Sequence, residues 1–250
     1  MAGMKHLSLF AVAFLIMGSM CQAASEAAES ARAAAQQYGA AVRNCDMVWA
    51  VDSMYPPLRR TYADSLASRT REAEATRAHR VQGIARENVI EARARMHAND
   101  KALRAQYARM GEQMKNSGLK VESYSVGTAT AEYVVTPPMA AVSQVRKDTA
   151  GRVRAEKIGT TQERSRIVVL PTTLVVNVPG ANGSRTRMER RSYIFAVRDE
   201  VIIDKSMPRG TELNKWYFID GNTDVNTLRS FFPNLPLYLD LPGTGDRILR

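Results

Sequence analysis

The chain has 250 residues, with 35 Lys+Arg against 25 Asp+Glu and a formal net charge of +10. Hydrophobic residues make up 45% and charged residues 24%, which excludes a disordered chain, and 15 Gly with 10 Pro exclude a collagenous or low-complexity one. The length suits one or two domains with an ordinary core.

Residues 1–23 read as a secretory signal. Lys5 and His6 give a basic start, and the apolar run Leu7–Met17 is shorter than the roughly 20 residues that span a bilayer. Cys21-Gln22-Ala23 then precedes the expected cut. Acylation of Cys21 fits less well, because Gly18 and Met20 stand where a lipoprotein signal wants a Leu-like and a small residue. Removal would leave 227 residues carrying about +9, with no later apolar run long enough to cross a membrane. The expected destination is periplasmic or extracellular. The remaining thiol, Cys45, then has no internal disulfide partner and forms no multi-cysteine metal site. It falls in a periodic apolar stretch and reads as a small buried hydrophobe.

From Ala24 the chain is Ala-rich and free of proline, and Tyr38, Ala41, Val42, Cys45, Val48 and Trp49 recur at helical spacing. Asn44 or Asp46 can cap a restarted helix, which Pro56-Pro57 closes. Residues 59–118 form a second helical region of different character. Between Arg59 and Arg109 eleven Arg and one Lys face six acids, a net of +6. Leu66 is the one large apolar residue between Asp64 and Arg80, so this stretch buries little. Asn99-Asp100 reads as a fresh cap, followed by Leu103, Tyr107, Met110 and Met114 on one helix face and a stop at Ser117-Gly118.

Beyond Leu119 the pattern changes to strands: Val121–Val126, Tyr133–Val135, Ile167–Val178, Tyr193–Val197 and Lys215–Asp220. Residues 136–164 read as a basic loop or loose hairpin, and Pro171 implies an edge, a bulge or two strands. Gly180-Ala181-Asn182-Gly183 signals a hairpin turn. A short helix spans Val225–Phe232, prolines 233, 236 and 242 fix an extended finish, and 243–250 read as a flexible tail. Helices followed by a meander of strands predict an α+β fold: one domain over 24–242, with helices packed on an antiparallel sheet.

Met54-Tyr55-Pro56-Pro57-Leu58, Met110–Lys115 with Val121–Tyr124, Val169–Leu174, Trp216–Gly221 and Phe232–Pro236 resemble exported bacterial proteins of the nuclear transport factor 2-like (cystatin-like) superfamily. The resemblance covers 30–58 and 103–242 and leaves 59–102 and 136–164 as extra basic sequence. It implies helices against a curved sheet forming a cone, with a pocket inside and homodimerisation through the sheet. It implies no particular activity, since the fold hosts enzymes and binding modules alike.

Such a pocket would be lined by Tyr38, Trp49, Tyr55, Met114, Tyr193 and Trp216. Its resemblance to isomerase pockets, which use a carboxylate base with a Tyr donor, draws attention to Asp46, Asp52, Tyr55, Tyr124 and Asp220. Against catalysis, Asp46 suits a cap and Asp220 a turn. After the signal the histidines are His79 and His97 alone, which disfavours His-based nucleophilic or metal chemistry. No cofactor motif occurs, and the arginines lack the interleaved aromatics of a nucleic-acid binder. The expected role is an exported, non-enzymatic protein binding a small molecule or protein. The rival is attachment of an anionic partner, such as a lipid head group, glycan or acidic protein, through the arginine-rich helices.

Overall fold

The computed structural model describes residues 25–78, 89–135, 143–147, 153–157, 164–180, 183–201 and 210–249. The expected signal, His79 and Asn182 lie outside them.

Helix α1 spans Glu26–Arg43. The Ser25 hydroxyl caps it by accepting the Ala28 N–H at 3.0 Å, and Glu26, Glu29 and Arg43 oppose the helix dipole at its two ends. Its buried face is Ala28, Ala31, Ala35 and Gly39, so the helix lies close to the sheet. A Cβ on Gly39 would stand 2.0 Å from the Tyr124 ring. Cys45, buried and at φ 55°, turns the chain into the short helix α2, Met47–Asp52. Asp46 caps α2 through the Trp49 N–H at 3.1 Å.

Helix α3 spans Pro56–Ala78 and starts on its two prolines, where the missing N–H groups cost nothing. Helix α4 runs unbroken over Val89–Asn116. The expected cap at Asn99-Asp100 is therefore absent, because both side chains are used across the helix pair. Asn99 donates to Asp64 at 2.7 Å, and Asp100 takes two bonds from Arg59 at 2.6 Å.

The main sheet is six-stranded, antiparallel, curved and unclosed. Its centre is the pair β5, Arg164–Pro179, and β6, Arg185–Val201; the hairpin β3, Ser143–Lys147, with β4, Val153–Lys157, precedes them and stands apart. Strands β1, Lys120–Val126, and β2, Ala131–Val135, lie end to end along β5. Strand β7, Trp216–Asp220, shares the far side of β6 with β8, Gly245–Leu249. The short helix α5, Val225–Phe231, follows β7.

Two expectations change here. Pro171 sits inside one continuous central strand. Its carbonyl accepts the Gly127 N–H at 2.8 Å, so its missing donor faces the gap between β1 and β2, where the ladder is already interrupted. Residues 245–249, read as a frayed tail, pair with Arg187–Arg191, an edge the five-residue β7 leaves open. Arg190–Asp246 at 2.7 Å and Arg247–Glu189 at 3.1 Å fasten it.

The unbroken apolar run of β5 is explained by burial on both faces. Ile167 and Val169 join Phe195, Val197, Tyr217 and Ile219 under Tyr55, Leu58, Leu228 and Phe232. Val168 and Leu170 join Ile194, Ala196 and Phe218 under α1. Met54 bridges to Phe218 beside β7, with Tyr55 N–H on the Phe218 carbonyl and Phe218 N–H on the Ser53 carbonyl, both at 2.9 Å. That clamp holds the α2–α3 joint against the middle of β7.

Candidate functional site

Where α1, α2, α3 and α4 converge on the end of β7, they leave a cavity of about 310 Å³. That is the low end of the range for small-molecule sites. Helical periodicity builds its walls. Met54, Leu58 and Tyr62 follow one another at four-residue spacing into α3, and Tyr107 and Met110 take the same face of α4. Met47 and Ala50 come from α2, and Tyr38 from α1, its ring 5.0 Å from that of Phe218. Gly111 allows α4 to approach the α1–α2 turn, since a Cβ there would meet the Cys45 carbonyl at 2.5 Å.

Asp220, Asn222 and Thr223 close the remaining side. The Asp220 carboxylate accepts the Asn222 N–H at 2.8 Å and its carbonyl accepts the Thr223 N–H at 2.9 Å, an Asx turn that fixes the carboxylate at the cavity. Gly221 is required there, because a Cβ would stand 2.3 Å from the Tyr193 carbonyl. The Thr223 hydroxyl is buried without a hydrogen-bond partner. Burial first, then the charge of Asp220, holds the Tyr38 hydroxyl far above the ordinary tyrosine range. Tyr107 is raised by burial, by Tyr62 and by Asp220. Both phenols are therefore neutral donors and acceptors near neutral pH.

Of the six expected pocket residues, Tyr38 lines this cavity. Trp49, 37% exposed, stands behind Tyr38 with ring centroids 6.4 Å apart. Met114 is half-buried one turn past Met110. Trp216 packs in the core layer under α1, its indole N–H on Ser30 at 3.0 Å and its ring under the Arg198 guanidinium at 4.6 Å. Tyr55 and Tyr193 belong to the opposite face: Tyr55, 1% exposed, between Phe231 and Phe232, and Tyr193 edge-on to Phe195 at 5.5 Å. Among the acids, Asp46 is a cap and Asp52 is held by Arg59 at 2.9 Å and Arg104 at 2.8 Å. Tyr124 packs against Gly39 with its hydroxyl raised chiefly by burial. Asp220 alone of the five combines its turn with a place at the cavity.

Sequence reasoning missed Met47, Tyr62 and Phe218. Tyr107 and Met110 were visible as the apolar face of α4, but that face says only that something covers it.

A second cleft, of about 520 Å³, opens on the other side of α3 and α4. It is lined by charge: Arg59, Arg60, Arg93, His97 and Lys215 with Asp52, Asp100 and Glu212. Much of it is internally satisfied, since Arg59 bridges Asp52 and Asp100 and Lys215 meets Glu212 at 2.6 Å. The basic run on β6 behaves alike: Arg187 pairs with Glu122 at 2.6 Å, Arg190 with Asp246, and Arg191 with Glu189 at 2.9 Å. Among the described residues no group of three or more His, Cys, Asp or Glu is placed to hold a metal ion, and no helix is long and apolar enough to cross a membrane.

No family model, no curated protein and no solved structure matches the chain.

Proposed function

We propose that the protein is an exported, non-enzymatic binding protein that holds one small, largely apolar molecule in the cavity between α1–α4 and β7. One observation carries the reading: the helices and β7 wall a ligand-sized space with three tyrosines, three methionines and Phe218. Methionine suits such a wall, because its flexible thioether adapts to an irregular ligand. The ordinary duties of Asp46 and Asp52 favour binding over acid–base catalysis. The expected signal at 1–23 supports export, and the resemblance to the nuclear transport factor 2-like superfamily supports a pocket formed by helices on a curved sheet. The arginines of β6 pair within the molecule, which weighs against an anionic partner on that strand.

The test is native mass spectrometry of the full chain recovered from an exporting host. A mass that stays under gentle conditions and leaves on activation is the expected result, and its loss in Tyr107→Ala would place it in the cavity. A bare mass under every condition, with no bound species from cell extract, would overturn the reading.

A further inference from the structure

We infer that the cavity recognises an organic ammonium group, that is, a ligand with a small apolar body and a cationic head. This deepens the binding reading above and rests on it. Among the described residues that line the cavity, Asp220 is the one charged side chain. The described cations of a chain with net charge +10 thus stay out of this lining, and an exposed carboxylate stands at its edge. Asp220 makes no ion pair among the described residues; its carboxylate takes a single hydrogen bond, from the Asn222 N–H. Arg190, on which the Asp220 charge acts, is committed to Asp246 through two bonds of 2.8 and 2.7 Å.

The other groups suit the same head. Tyr38, Tyr62, Tyr107 and Phe218 supply electron-rich rings, the surfaces that attract ammonium cations. The phenols cannot compete as anions, because burial keeps Tyr38 and Tyr107 protonated. An anionic ligand would meet the fixed carboxylate with no cation beside it, and a neutral one would leave that charge unused. The net positive charge elsewhere is screened beyond about 8–10 Å at physiological salt.

The experiment titrates the full chain with phenyltrimethylammonium and with its neutral isostere tert-butylbenzene, by calorimetry. The cation is expected to bind at least tenfold more tightly, and Asp220→Asn, which keeps an oxygen for the Asn222 N–H, is expected to collapse that preference. Tyr62→Ala, at a half-exposed position, is expected to lower the cation's affinity several-fold in a folded protein. Equal binding of the two probes, or a preference that survives Asp220→Asn, would overturn the ammonium inference and leave the cavity reading standing. Binding of neither probe, together with a chain that carries no releasable mass, would overturn both.

Discussion

The aromatic cavity and the charged cleft are made by the same helices and differ in almost every physical respect. On α3, Leu58 and Tyr62 turn toward the cavity while Pro56, Arg59 and Arg60 line the cleft; on α4, Tyr107 and Met110 face one and Arg93, His97 and Asp100 the other. The cleft answers its own charges, with Arg59 spanning Asp52 and Asp100. The cavity carries at its edge an exposed carboxylate, Asp220, that meets no cation among the described residues. Arg59 and Arg104 tie the helices to one another, and the Asp220 carboxylate stands at the edge of a wall of tyrosines.

The comparison breaks most severely at the shared wall. Phe218 lines the cavity yet is a buried member of the core under α1. Phe218→Ala is expected to cost about 3–5 kcal/mol in urea unfolding, because the site and the core are one structure there. Gly39→Ala forces the Tyr124 ring from its 2.0 Å overlap and is expected to cost about 1–3 kcal/mol, with a lowered melting temperature. On the cleft side, Arg59→Ala leaves Asp100 to water and Asp52 with Arg104 alone. Its expected cost is about 1 kcal/mol of stability with the bound mass retained. A lost ligand in that variant would mean that the two regions are coupled.

The smallest effect concerns the charge network at the N-terminal end of α1. Glu200, its side chain 8% exposed, meets Arg166, Arg198 and Arg164, and Arg166 continues to Glu132, which accepts from Ser25. The Arg166 bond, with help from Arg198 and the Arg164 charge, lowers Glu200 from its ordinary 4.5 to about 2. A carboxylate depressed on folding stabilises above its unfolded value and loses that contribution as pH falls through the folded one. Stability is expected to drop between about pH 4.5 and 2, and Glu200→Gln to flatten that part of the curve.

Much of the fold was legible because short-range signals decided it. Asp46 caps as its residue type dictates, β5 pairs with β6 on either side of the expected turn, and the β-branched run at 167–178 forms a strand. What escaped depends on partners distant in the chain. Asn99-Asp100 resembles a cap until α3 supplies Asp64 and Arg59. Residues 245–249 pair because β7 is short, which no local pattern announces. The site was harder still. Period-two alternation sends Tyr193 and Trp216 to opposite faces of the sheet, and nothing in the residues themselves says which face holds a cavity. Tyr62 stands in a polar helix and carries no signal until Tyr107 is set near it.

The claim that the aromatic cavity, and not the charged cleft, receives the ligand can be read from methionine methyl groups. Met47, Met54 and Met110 line the first, and Met96 lines the second. Methyl-labelled methionine spectra of the full chain, titrated with phenyltrimethylammonium, are predicted to shift at those three positions and to leave Met96 in place. Shifts centred on Met96, or none at the three cavity methyls at saturation, would contradict the account.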